Sequence, residues 1–466
     1  MLAERSFGFI ILGLLLRVVP APIVGLIAIA SAISDLTRIV ANSGAGEQVQ
    51  ASPGDRAVEA GAFWSQLLTS LLFMAGLWAA TPWIAHLYGQ PLLVPILYIM
   101  GLNVVITSFI VVPSARLLSQ FRFRTVGLIS MGSTICGGLI ALPFAYAGHG
   151  VAALVGQRMA GSVYYLVVST IITRWHPPRP PSLAVLRAGF RFSWPLMQAA
   201  FVDYIAFTGY VMLVGLRMPV DRLGEFRIAQ RLVEVIQEIA FLPARKVFMP
   251  VFVAVRDDPE RRYETARQML DLLSMVIFFV SAVCGAAARP IVLLMFGPRW
   301  EAAVPVFAVI TLMAPATALY SSLNPLLTSV GRMRLVSRYA WLNAATIAAA
   351  VWFAAPYGLH TLAWALAGRG IVAVGLFILG LRQGLDHPTG PILRLLLLPV
   401  LALAAARLAG WAALAAWPGL GLAAQLGLGG GVAAISFTLV TLLLAPRRMI
   451  TMTTKLHGAL LGRAGA

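Results

Sequence analysis

The chain predicts an all-α, polytopic membrane protein, and three observations carry that expectation. Of its 466 residues, 60% are hydrophobic and 11% charged, far outside the usage of a water-soluble globular domain. The apolar residues come in unbroken runs near the ~20 residues that cross a bilayer as a helix, not in the alternating pattern of a membrane barrel. The cations crowd into every second connection between those runs. In a soluble protein the net charge of +18 would point to nucleic acid. Here loop cations that orient membrane helices account for it, so no nucleic-acid partner is expected.

Taken in order, the apolar runs give about thirteen spans, at 8–33, 61–87, 91–115, 126–147, 151–173, 193–216, 223–253, 269–296, 304–329, 335–355, 359–381, 395–416 and 421–445. Between the first two lies the longest connection, 34–60, read as a polar loop. The connections after odd-numbered spans hold Arg38 and Arg56, Arg116 to Arg124, Arg174 to Arg191, Arg256 to Arg267, Arg332 to Arg338, and Arg382 with Arg394; the tail adds Arg447, Arg448, Lys455 and Arg463. The other side holds only Arg5, Arg217, Arg222 and Arg299. By the positive-inside rule the odd connections and the C-terminus are cytoplasmic. An odd count then puts the N-terminus outside, and the abrupt start MLAERSFGF suggests a further helix upstream.

An internal repeat divides the chain. Tyr88-Gly89 and Pro95 match Phe296-Gly297 and Pro305, and YAGHGVAALVGQR (from Tyr146) resembles YGLHTLAWALAGR (from Tyr357). Position 89 to 297 is a step of 208, and 158 to 369 a step of 211. Equivalent spans keep the same direction, so the two halves form a parallel repeat, an arrangement in which transporters hold substrate between lobes. The expected organisation is an N-terminal lobe over 1–175, a cytoplasmic linker at 176–192, a C-terminal lobe over 193–382, and two additional helices with a tail over 383–466.

Candidate functional residues are the charges inside spans, since a charge at mid-bilayer costs at least ~2.5–3.5 kcal/mol and needs a partner or a wet cavity. Arg227, Arg231, Glu234, Glu238 and Arg245 share one face of the seventh span. They form either a self-neutralising structural ladder at i, i+3 and i+4 or a polar wall toward an anionic, sugar-bearing substrate. Arg158 and Arg369 are related by the repeat, as cavity-lining cations or as structural arginines that snorkel or bond carbonyls. Asp203 either pairs with an arginine of the seventh span or exchanges a proton as a coupling group. Arg17, Arg289 and Arg407 lack the support of the repeat, and snorkelling or packing is expected of them. Cys136 and Cys284 lie in apolar runs, the six histidines have no metal-ligand spacing, and no phosphate-cradling loop is present. No cofactor, metal or catalytic residue is therefore expected.

The stretches EFRIAQRL, PVFVAVRDDPERRYETARQ, LLMFGPRWEAAVPVF and SARLLSQFRFR, with the aspartate helix before the first, make the chain resemble one branch of the multidrug/oligosaccharidyl-lipid/polysaccharide (MOP) exporter superfamily. That branch holds the flippases for O-antigen and exopolysaccharide units. The resemblance implies fourteen helices, two lobes of six plus two, with the first missing here. It implies a non-enzymatic inner-membrane flippase working by alternating access on an oligosaccharide linked to undecaprenyl diphosphate. Membrane lipids, and a polymerase and chain-length regulator of the same pathway, are the implied partners. A cation-coupled exporter of small molecules is the alternative within the superfamily. A polytopic polymerase or glycosyltransferase is the alternative of another class, and a non-transporting scaffold is a further one.

Overall fold

The structure, a computed structural model, describes residues 2–385 and 387–446; the side chains at 2–6, 203, 206–207 and 238–246 lie outside the description. The described residues are 86% helical and contain no strand, which excludes a barrel. Nine of their helices are long and apolar enough to cross a membrane, ten if the bent pair Ala303–Ile310 and Met313–Ser329 is one span. The three other runs read as spans, 193–216, 223–253 and 335–355, are also helical. Their internal charges, Asp203 in the first, the stripe in the second and Arg338 in the third, keep them more polar.

The chain divides into two compact units, Met1–Arg227 and Ile228–Ala466. The first holds α1 (Leu2–Val18), α2 (Ala21–Ala41), α3 (Ala45–Ala51), α4 (Arg56–Leu87), α5 (Leu93–Ser119), α6 (Phe123–Tyr146), α7 (Gly150–Thr173), α8 (Leu183–Phe207), α9 (Tyr210–Arg217) and the start of α10 (Val220–Ala254). The boundary between these units falls inside α10, and 176–192 stays with the first unit. Local packing explains why. Trp175 is buried edge-on against Phe63, Trp64 Nε1 donates to Pro178 O at 2.9 Å, and α8 then packs on α2 and α4.

Two readings of the N-terminal region need correction. The run 8–33 is two helices, not one. Pro20 stands between them, with Pro22 in the first turn of α2, and neither can donate a backbone hydrogen bond. The helices also run antiparallel. Gly8 faces Thr134 and Ile11 faces Gly138, so α1 runs parallel to α6; Ile23 faces Gly150, and Arg158 reaches Ser31, so α2 runs parallel to α7. Because α6 and α7 form an antiparallel hairpin, with Gly132 against Tyr164 and Gly137 against Gln157, α1 and α2 oppose each other. The odd number of passes came from counting 8–33 once. The second correction is that 34–60 is not a loop: α2 continues to Ala41, α3 follows, and α4 starts under an Asp55 cap that accepts from Ala57 N and Val58 N at 2.8 and 3.2 Å.

α2 and α10 each begin directly after a proline, Pro20 and Pro219, and each carries a glycine five residues on. At Gly25 a Cβ would overlap Val220 O, and at Gly224 it would overlap Ala21 O. Two helix starts therefore cross backbone to backbone, a contact only paired glycines permit.

The second unit continues α10 and adds α11 (Pro259–Ala286), α12 (Ala288–Phe296), α13 (Ala303–Ile310), α14 (Met313–Ser321), α15 (Leu323–Ser329), α16 (Met333–Ala354), α17 (Leu359–Gly368), α18 (Gly370–Gly384), α19 (Gly390–Ala416) and α20 (Leu422–Leu444). Its core runs from Phe248 and Phe252 through α11, α14, α15 and α18 to Phe437. The repeat is visible in its turns. Left-handed residues recur at Gly89 and Gly297 (φ 60° and 93°), Phe121 and Gly331 (55° and 75°), and Gly148 and Gly358 (84° and 104°).

Candidate functional site

The site is built on α2. Ser31, Asp35, Arg38 and Asn42 follow one another at i, i+4, i+7 and i+11, so they share one face and form a polar track about 16 Å long. α7 supplies Arg158, whose Nη2 donates to Asp35 Oδ1 and whose Nη1 donates to Ser31 Oγ at 3.0 Å. Arg38 Nε donates to the same Asp35 oxygen at 3.2 Å. α8 places Tyr204 across the top, its hydroxyl donating to Ala32 O at 2.8 Å. Tyr204 lies in the electrostatic field of Asp35, Arg227, Arg158 and Arg38, which brings the start of α10 into the same group.

The group is half-buried, with side-chain exposures of 28% for Arg158, 23% for Asp35 and 34% for Arg38. Arg158 and Arg38 hold the Asp35 carboxylate and Arg227 acts on the same Tyr204, so these four side chains carry a formal charge of +2 at neutral pH. Lower on the track Asn42 Nδ2 donates to Thr107 Oγ1 at 2.8 Å, while Gln66 Nε2 and Ser70 Oγ donate to Asn42 Oδ1 at 2.7 and 3.3 Å. Farther along, Arg116 holds buried Glu59 through a bidentate pair, Nε to Oε1 at 2.7 Å. Such a surface suits a polar, anionic ligand: the arginines grip oxyanions with two parallel donors, and the amides and hydroxyls offer both donors and acceptors.

The sequence-derived candidates separate. Arg158 and Arg227 join the α2 group. Arg231 bonds Glu234 one turn along α10, Nη1 to Oε2 at 3.0 Å, as an i, i+3 pair. The side chains of Asp203, Glu238 and Arg245 lie outside the described residues. Arg369 is 6% exposed and donates to Asn343 Oδ1 at 2.6 Å inside the second unit, with Tyr320 nearby. The repeat therefore relates Arg158 and Arg369 in backbone position but not in surroundings. Arg289 pairs with Glu301 at the surface, Nε to Oε1 at 2.8 Å, and Arg407 is buried against carbonyls. Asp35 and Arg38 are the residues sequence reasoning missed; the i, i+4, i+7, i+11 spacing from Ser31 was the signal.

Residues 15–305 match the family described as polysaccharide biosynthesis protein. The succinoglycan biosynthesis transport protein ExoT of Rhizobium meliloti (strain 1021) is 24% identical over 315 residues, 67% of this chain and 64% of ExoT. The teichuronic acid biosynthesis protein TuaB of Bacillus subtilis (strain 168) is 23% identical over 328 residues, 68% of this chain and 66% of TuaB. The matched stretch spans just under two thirds of either relative. Among solved structures, the lipid II flippase MurJ in an inward closed conformation superposes with a TM-score of 0.72, at 13% identity, over 95% of this chain and 98% of its own. An inward-facing multidrug resistance MATE family transporter of the MOP superfamily gives 0.64, also at 13% identity, over 82% and 94%. The fold is thus the one those two solved structures share, and the chain belongs to the polysaccharide biosynthesis protein family.

Proposed function

We propose that the protein is a bacterial inner-membrane flippase that carries a lipid-linked oligosaccharide, on undecaprenyl diphosphate, across the bilayer for surface polysaccharide synthesis. The observation that carries this reading is the half-buried cluster of Asp35, Arg38, Arg158 and Arg227 in a family of polysaccharide biosynthesis proteins. A diphosphate is the anion such a cluster suits, and the amide and hydroxyl track on α2 suits sugar hydroxyls. Without cargo, Asp35 occupies Arg158. When cargo arrives, its phosphate takes the place of the carboxylate on Arg158. This makes Asp35 the displaceable partner of Arg158, while the coupling role stays with the one expected of Asp203. Alternating access of the two halves, a cytoplasmic C-terminus, and a polymerase with its chain-length regulator acting on the exported unit complete the scheme.

The test is export in cells. A strain lacking the gene should accumulate lipid-linked oligosaccharide on the inner leaflet, and the wild-type gene should clear it. Arg158→Ala should insert normally yet leave the intermediate in place; full export by this variant would overturn the role given to the cluster. Asp35 favours a second reading, a cation-coupled exporter of small molecules, which requires a membrane carboxylate. Three arginines around it repel cationic drugs, so drug resistance should not change with the gene.

A further inference from the structure

In the second unit, the turn between α10 and α11 and the turn between α15 and α16 stand side by side and, with the end of α18, enclose a cleft of about 420 Å³. That is near the low end of the ~300–1,000 Å³ typical of small-molecule sites. Its wall carries Arg256, Arg262 and Arg332, with Asp257 as the carboxylate among its lining residues, and is completed by backbone at Ser329–Gly331 and Gly384. The lining side chains thus bring three guanidiniums and one carboxylate to this cleft.

The cleft is built rather than incidental. Arg262 is only 6% exposed, and its Nη1 donates to Arg256 O at 2.6 Å, which fixes the α10–α11 turn from within. The opposite turn is fixed by Gly331, whose φ of 75° lets the chain reverse so that Gly331 N and Arg332 N bond Thr328 O and Leu327 O at 3.0 and 2.8 Å. Arg332 and Arg256 project from these turns as exposed cations. Asp257 competes for Arg256 at 3.2 Å, but its side chain is 88% exposed, so water screens that pair and an incoming dianion can displace it.

We propose that this cleft binds a phosphate group at the membrane surface, in the form of the headgroup of an anionic lipid. It lies at the ends of five helices, α10, α11, α15, α16 and α18, and the connections that form it are ones the positive-inside rule assigns to the anionic cytoplasmic leaflet. It uses none of the residues on α2, α7 or α8, so it stands apart from the cargo reading. A bound headgroup would tie the α10–α11 turn to the α15–α16 turn.

The experiment uses the full chain in phosphatidylcholine nanodiscs. Phosphatidylglycerol is added in one arm and inorganic phosphate in another, and retained lipid and thermal protection are read by native mass spectrometry and melting. Wild-type protein should retain and be protected by phosphatidylglycerol. Removing each exposed arginine, as Arg256→Ala or Arg332→Ala, should weaken this about fivefold, and the double variant multiplicatively. Arg262→Gln should abolish it; should that variant not fold, the exposed double variant decides. Protection by phosphatidylglycerol alone identifies a lipid headgroup, and protection by inorganic phosphate as well identifies a phosphate site independent of the lipid. Equal retention and protection in the double variant and wild type, or none in wild type, would overturn the proposal.

Discussion

At the residue scale, the ion pair of Asp35 with Arg158 makes a prediction of opposite signs. Asp35→Asn keeps the shape of the side chain but removes the competing charge, taking the cluster from a formal +2 to +3. Arg158→Gln takes it to +1. A short-chain polyprenyl diphosphate should therefore bind roughly tenfold more tightly to the first variant and roughly tenfold more weakly to the second, about 1.4 kcal/mol each way at a half-exposed site. Titration calorimetry on purified protein checks this, and movement of both variants in one direction would sink the model of anion and carboxylate competing for one arginine. The repeat made Arg158 legible in the sequence. Its partner was not, because reading 8–33 as a single pass put Asp35 in a loop, where a carboxylate needs no explanation. Arg369 shows the converse limit. A repeat preserves where a residue falls on its helix, but burial and the choice of Asn343 as partner depend on side chains the repeat does not copy.

At the element scale, the break between α13 and α14 shows how a charged residue can be wholly structural. Pro315 cannot donate to Thr311 O, and Ser281 Oγ takes that carbonyl instead at 2.5 Å. Leu312 N turns to Val309 O, and the carbonyl of Ala308 accepts from Arg407 Nη1 at 2.9 Å. The same guanidinium donates to Ser281 O at 3.3 Å and to Thr311 Oγ1. In a bilayer these carbonyls have no water to turn to, so a cation from α19 joins the Ser281 and Thr311 hydroxyls in supplying the donors that the broken helix lacks. Gly285 on α11 makes the room, since a Cβ there would overlap the Arg407 guanidinium. Gly285→Ala alone should destabilise by about 1–3 kcal/mol through overpacking. Combined with Arg407→Ala it should cost at least ~1 kcal/mol less than the sum of the single changes, because the clash is then gone. Thermal unfolding in detergent measures this, and additive losses would show that Arg407 does not fill the space beside Gly285. Prolines made such breaks visible in principle at Pro20 and Pro315. A window of apolar residues conceals them, because hydropathy does not register a missing donor.

At the scale of the whole molecule, the fold class and the repeat were legible because both rest on strong, redundant signals: runs of apolar residues, alternating loop charge and recurrent Gly turns. The number of passes rests on single residues and was not. With α1 and α2 antiparallel, the two spans before the 42–55 connection replace one, and the parity of the chain changes. α1 has 17 residues, about 26 Å of helix, short of the ~30 Å hydrocarbon core but able to cross where the bilayer thins or a flanking arginine snorkels. The positive-inside rule predicts Arg38, Arg56 and the 174–191 connection on the cytoplasmic side, which would have α2 end there and α1 begin there. The prediction is a cytoplasmic start of α1, opposite to what a single pass over 8–33 requires. A reporter active only in the cytoplasm should therefore report when fused before Met1 and when inserted in 174–191. If the 174–191 insertion is cytoplasmic but the N-terminal fusion is periplasmic, α1 does not cross the membrane and would have to be confined to the outer leaflet beside α2.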